Sequence, residues 1–95
     1  DMLRDIHAIE VEIKEADDLK GIVKIVGGLP IVKQVMEVKN DPYNIVIRLQ
    51  VEDEYDAIPI VANKLHSMNA KVLAARRSEP TLEDIFVKLT REEAV

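Results

Sequence analysis

A chain of 95 residues has room for one domain around a single modest core, and none for a nucleotide-hydrolysing domain beside a second unit. With 47% hydrophobic and 33% charged residues it has the composition of a folded chain, and its 13 basic against 18 acidic side chains, a formal charge of -5, offer no global positive field to nucleic acid or anionic lipid. The lack of cysteine excludes disulfides, thiolate chemistry and cysteine-ligated zinc, and fits a cytoplasmic setting.

The opening stretch DMLRDIHAIEVEIK mixes charges among its apolar residues without a small-residue cleavage site, so no secretory leader is expected. From His7 to Lys14 the residues alternate: His7, Ile9, Val11 and Ile13 share one side, and Ala8, Glu10, Glu12 and Lys14 the other, which predicts a half-buried strand. Asp17 and Asp18 then offer N-cap chemistry to a helix carrying Leu19, Ile22, Val23 and Val26, which Gly27, Gly28 and Pro30 end. Ile31 to Val38 is rich in β-branched residues and predicts a second strand, with Asn40-Asp41-Pro42 as the turn of a hairpin.

The returning segment, Tyr43 to Val51, alternates most cleanly, placing Ile45, Ile47, Leu49 and Val51 inward and Asn44, Val46, Arg48 and Gln50 outward. Asp53, Glu54 and Asp56 precede Pro59, a residue suited to a helix's first turn, so a second helix is expected from there to about Met68, with Val61, Leu65 and Met68 on one face. Val72 to Ala75 reads as a short last strand, after which Arg76, Arg77, Ser78, Glu79 and Pro80 end regular structure. The longest apolar run, Ala57 to Ala62, is broken by Pro59 and falls far short of the ~20 residues of a membrane-spanning helix.

Strand, helix, strand, strand, helix, strand is the order of an α+β ferredoxin-like βαββαβ two-layer sandwich: a four-stranded antiparallel sheet with both helices on one face. The expectation is one domain over 1–95, with that body over 7–75 and an extra C-terminal helix over 81–90. In the added helix Thr81 and Asp84 form a capping box, and Leu82, Ile85, Phe86 and Leu89 recur at i, i+3, i+4 and i+7 as its buried stripe. The first five residues and 91–95 are expected to fray.

Motifs for chemistry are missing. The only glycines, Gly21, Gly27 and Gly28, cannot make a phosphate-cradling loop, and Ser67 and Ser78 lie in no glycine-flanked elbow. His7 faces away from Glu10, and His66 has only alanines one turn away, so no metal site is expected. Glu10 and Glu12 share a strand face as a catalytic carboxylate pair could, but they read more simply as charges solvating an open sheet face beside Lys14 and Arg48. That face lacks the stacked aromatics of an RNA-binding sheet, since the aromatics are only Tyr43, Tyr55 and Phe86. Arg76-Arg77 with Lys71 reads as a solvated strand end.

Glu79 to Thr90, EPTLEDIFVKLT, resembles the closing motif of the ATP-binding subunits of ABC transporters that export drugs, lipids or polysaccharides, with its core in Leu82-Glu83-Asp84-Ile85-Phe86. The preceding body is also similar to the small domain appended to those ATPases. None of the family's catalytic sequences is present, so the resemblance implies a non-catalytic C-terminal regulatory or assembly domain, with no cofactor of its own and ATP and Mg bound by an upstream domain. Implied partners are the ATPase core of the same chain, a second copy as a homodimer, and a membrane permease subunit through the parent protein. The location implied is cytoplasmic, at the inner face of the membrane, with no nucleic acid bound and no direct insertion. The stripe Leu82, Ile85, Phe86 and Leu89 either covers the domain's own sheet or docks on the ATPase core or a second copy. A free-standing small-molecule sensor, like the amino-acid-binding domains of the same strand order, is the alternative; it calls for a glycine-rich first turn, where this chain has Glu15-Ala16-Asp17-Asp18.

Overall fold

In the computed structural model, which describes residues 6–84 and 86, the elements run β1 (Ala8–Ile13), α1 (Leu19–Gly27), β2 (Val32–Asn40), β3 (Ile45–Val51), α2 (Glu54–Ser67) and β4 (Val72–Ser78). The four strands form one sheet in the order β2-β3-β1-β4, and every neighbouring pair is antiparallel. This is the expected ferredoxin-like two-layer sandwich. Its core lies where the alternation put it: Ile9, Val11 and Ile13 from β1 and Ile45, Ile47, Leu49 and Val51 from β3 meet Val26 of α1 and Ala57, Val61 and Leu65 of α2. The two central strands supply most of this layer because a side-chain period of two sends every second residue to the helices.

Helix α1 starts where Asp18 accepts a hydrogen bond from the Gly21 amide at 3.1 Å. At its far end α1 lies close to the sheet: a Cβ on Gly27 would stand 2.9 Å from Cγ2 of Val35. The hairpin between β2 and β3 is closed by the Asp41 amide donating to the Asn44 carbonyl at 3.0 Å, and β2 runs two residues past the expected Val38.

Helix α2 begins five residues before the expected Pro59. Its N-cap is Asp53, which accepts from the Asp56 amide at 3.0 Å, with Glu54 and Asp56 in the first turn. Pro59 therefore lies inside the helix, where the Tyr55 carbonyl loses its amide partner; Pro59 is on the exposed side, within reach of water. The cap and the buried Ala57-Val61-Leu65 stripe outweigh that loss. The helix closes in a Schellman motif: Asn69 takes the left-handed conformation at φ 62°, its amide donates to His66, and the Ala70 amide donates to Leu65, both at 3.0 Å.

Strand β4 also runs past its expected end at Ala75, through Arg76 and Arg77 to Ser78. Pairing decides this, since Arg76 stands opposite Glu10, Arg77 opposite Ile9 and Ser78 opposite Ala8. Beyond β4 the chain turns, and residues 82–84 and 86 are helical. Ile85, Leu89 and the rest of the expected helix, like the first five residues and 91–95, lie outside the described residues.

Candidate interaction surface on the open sheet face

The register assembles a row of alternating charge across the face turned away from the helices. Glu37 on β2 stands opposite Arg48 on β3, Arg48 opposite Glu10 on β1, and Glu10 opposite Arg76 on β4. Opposite charges on facing strands attract, so the pattern favours this register over a slipped one. Glu10 lies 2.7 Å from Nη2 of Arg76, which also pairs with Glu12, and Asn44 donates to Glu12 at 3.3 Å. The hydrogen bond from Arg76, helped by its charge, holds the Glu12 carboxyl below the ordinary carboxylate range. Glu10 and Glu12 thus lie on the sheet face beside Arg48, as expected, and their ion-pair partner there is Arg76 of β4.

Arg48 has a different fate from the solvated charge expected of it. The segment after β4 crosses its end of the sheet, leaving the side chain 10% exposed. Four of the five N–H donors of its guanidinium are bonded, one to Ser78 at the end of β4 and three to that segment. Nε donates to Oγ of Ser78 at 3.0 Å, Nη1 to Oδ1 of Asp84 at 3.0 Å, and Nη2 to Oδ2 of Asp84 at 2.8 Å and to the Glu79 carbonyl at 3.2 Å. Nη1 also lies 3.6 Å from Oε2 of Glu37. Two parallel bonds to one carboxylate are the geometry in which an arginine binds best. The neighbouring Gln50 and Ala8, expected on an open face, are buried as well, and Gln50 accepts from Gln34 at 2.7 Å.

Asp84 serves two structures at once. Its Oδ2 accepts the Thr81 amide at 2.8 Å while Oγ1 of Thr81 accepts the Asp84 amide at 3.3 Å, the reciprocal capping box. The same carboxylate is the bidentate partner of Arg48. Burial alone pushes its pKa up, but the Arg48 hydrogen bonds, the Thr81 amide and the Arg48 charge outweigh that and hold it below its ordinary value. The Asp84 bonds in turn raise the pKa of Arg48.

Of the expected stripe, Leu82 and Phe86 are described, and neither is buried. Leu82 is 73% exposed and Phe86 69%. The helix start is held to the sheet through a carboxylate at the position between them, which leaves both apolar side chains facing solvent. They are separated by four residues, hence neighbours on one helical face. Arg48 is the residue that sequence reasoning missed: an arginine at an outward strand position carries no local sign of a partner 36 residues away.

Elsewhere the surface offers less. His7 Nδ1 and Oε1 of Glu54 are 2.8 Å apart, Nε of Arg77 is 3.7 Å from the other Glu54 oxygen, and the Arg77 guanidinium lies 5.9 Å from the centre of the Tyr55 ring. Arg77 makes these α2–β4 contacts and Arg76 those of the sheet ladder, and both side chains remain solvated near the end of β4, as expected. A depression of about 430 Å³ beside the β1–α1 turn is lined by Glu15, Asp17 and Asp18 among others and has no glycine at its rim. Among the described residues no group of three or more His, Cys, Asp or Glu side chains could hold a metal ion. None of their helices is long and apolar enough to cross a membrane. No family model matches the chain, and no curated protein matches it.

Proposed function

We propose that this chain is a non-catalytic regulatory or assembly domain of the kind appended to the ATP-binding subunit of an ABC exporter, acting through packed surfaces rather than chemistry. The observation that carries this reading is the state of the closing motif: Asp84 is bound to the sheet, while Leu82 and Phe86 are held outward on the same helical segment. Two large apolar side chains kept in water are costly unless a partner covers them. In this reading the partner is the ATPase core of the same chain, with pairing of two ATP-binding subunits or restraint of their opening as the consequence. ATP and Mg belong to that core, the permease subunit is reached through it, and the domain lies at the cytoplasmic face of the membrane.

The test is the native size of the polypeptide, read with an antibody against this chain on lysate of the source cells. A band far above 10.7 kDa whose immunoprecipitate hydrolyses ATP supports the proposal. A band at the size of the chain itself refutes it, and saturable binding of a member of a metabolite panel in isothermal titration then favours the sensor reading.

A further inference from the structure

We propose that residues 79–84 form a detachable strap across the sheet and that Arg48 is its single receptor, so that the motif carrying Leu82 and Phe86 exists in a docked and a released state. This does not depend on the transporter reading. Among the described residues, every hydrogen bond that links the strap to the rest of the chain ends on the Arg48 guanidinium. The strap brings little apolar surface with it, since Glu79, Thr81, Leu82 and Glu83 are exposed, Pro80 is half-buried and the one buried member is the carboxylate Asp84. Its attachment is therefore polar, of a kind that water can replace.

The rest of the domain does not need the strap. Among the described residues the apolar core is built wholly from residues on the other side of the sheet and includes none beyond β4. Release uncovers a sheet face of small, polar and charged residues, among them Ala8, Glu10, Arg48 and Gln50, that tolerates water. A broken buried ion pair is normally costly because one charge is left buried without a partner. Here release hydrates both charges, and Arg48 keeps a second carboxylate, Glu37, already 3.6 Å away. Once free, the helix start at 82–84 loses the Arg48 anchor that holds it to the sheet. The exposed Leu82 and Phe86 then lose their fixed orientation, so any partner that reads them binds the docked state and shifts the balance towards it.

Native-state hydrogen exchange on the full chain tests this. In the wild type the Thr81 and Asp84 amides are expected to exchange through an opening insensitive to low denaturant, while those of Val11 and Ile47 exchange only with global unfolding. In Arg48→Met the first pair should exchange roughly tenfold faster or more and stay insensitive to low denaturant, while Val11 and Ile47, faster only by the docking free energy that is lost, still exchange through denaturant-sensitive global unfolding. Arg48→Lys, which keeps the charge and loses the fork, should fall between. If in the wild type all four amides exchange together, the strap belongs to the cooperative core and the proposal fails. It fails equally if Arg48→Met folds and leaves the Thr81 and Asp84 rates unchanged.

Discussion

Replacing Asp84 by asparagine removes a charge at nearly constant volume and tests how firmly the closing segment is attached. The amide has one oxygen where the carboxylate has two. Placed at Oδ2, that oxygen still accepts from the Thr81 amide and from Nη2 of Arg48, but the NH2 group then faces the Nη1 donor that had bonded Oδ1 at 3.0 Å. One charge-assisted bond is lost and another becomes a neutral acceptor, at about 1.5–3 kcal/mol for the stronger kind. The full 3–5 kcal/mol of a broken buried pair is not expected, because water and Glu37 can take up Arg48. The expected loss is about 2 kcal/mol, or about 8–16 °C in Tm for a domain of this size, read by thermal unfolding and urea titration. The assay is completed by Arg48→Met and the double variant. The double variant should be no less stable than the worse single one, since once the strap is released nothing further is lost there, giving a coupling of about 1.5–2 kcal/mol. Strict additivity, or a loss under about 0.5 kcal/mol for Asp84→Asn, would refute the reasoning and make the pair an ordinary surface contact.

Further outcomes follow from the same structure. Asp84 has a folded pKa below its ordinary 3.8, so its contribution is fully present above that pH and is lost as pH falls through the lower folded value; the stability gap between wild type and Asp84→Asn should close below about pH 4. Leu82→Ala with Phe86→Ala should change stability by no more than about 0.5 kcal/mol, as exposed residues do. In titration calorimetry against the ATPase core of the proposed reading, the same double change should weaken the proposed docking at least about tenfold; unfolding instead would make the two residues core. Pro59→Ala should raise Tm, by about 1–3 kcal/mol of stability, because an interior helix position regains an amide for the Tyr55 carbonyl. No gain would place Pro59 in the first turn after all. Asp53→Ala should cost about 1 kcal/mol in urea titration as the true N-cap of α2.

Much of the architecture was legible because it rests on short-range patterns. The period of two in β1 and β3 gave their core faces, and Asp18 and Asn69 mark helix ends through bonds within a few residues. Where a local signal pointed two ways the reading slipped. Pro59 suggested a helix start, while Asp53 with Asp56 supplied the better one, and Arg76-Arg77 suggested a strand end until β1 was there to pair with them.

The residues by themselves determined the order of elements, the apolar layer and the Thr81–Asp84 cap, since each depends on neighbours within about one turn or one strand. Only the tertiary structure decided that Arg48 is covered, that Glu10 and Glu12 are held by Arg76, and that Leu82 and Phe86 face outward. The physical reason is that a charge's partner is set by which strands and segments come to lie side by side. Arg48 and Asp84 are 36 residues apart in the chain and 2.8 Å apart in the fold.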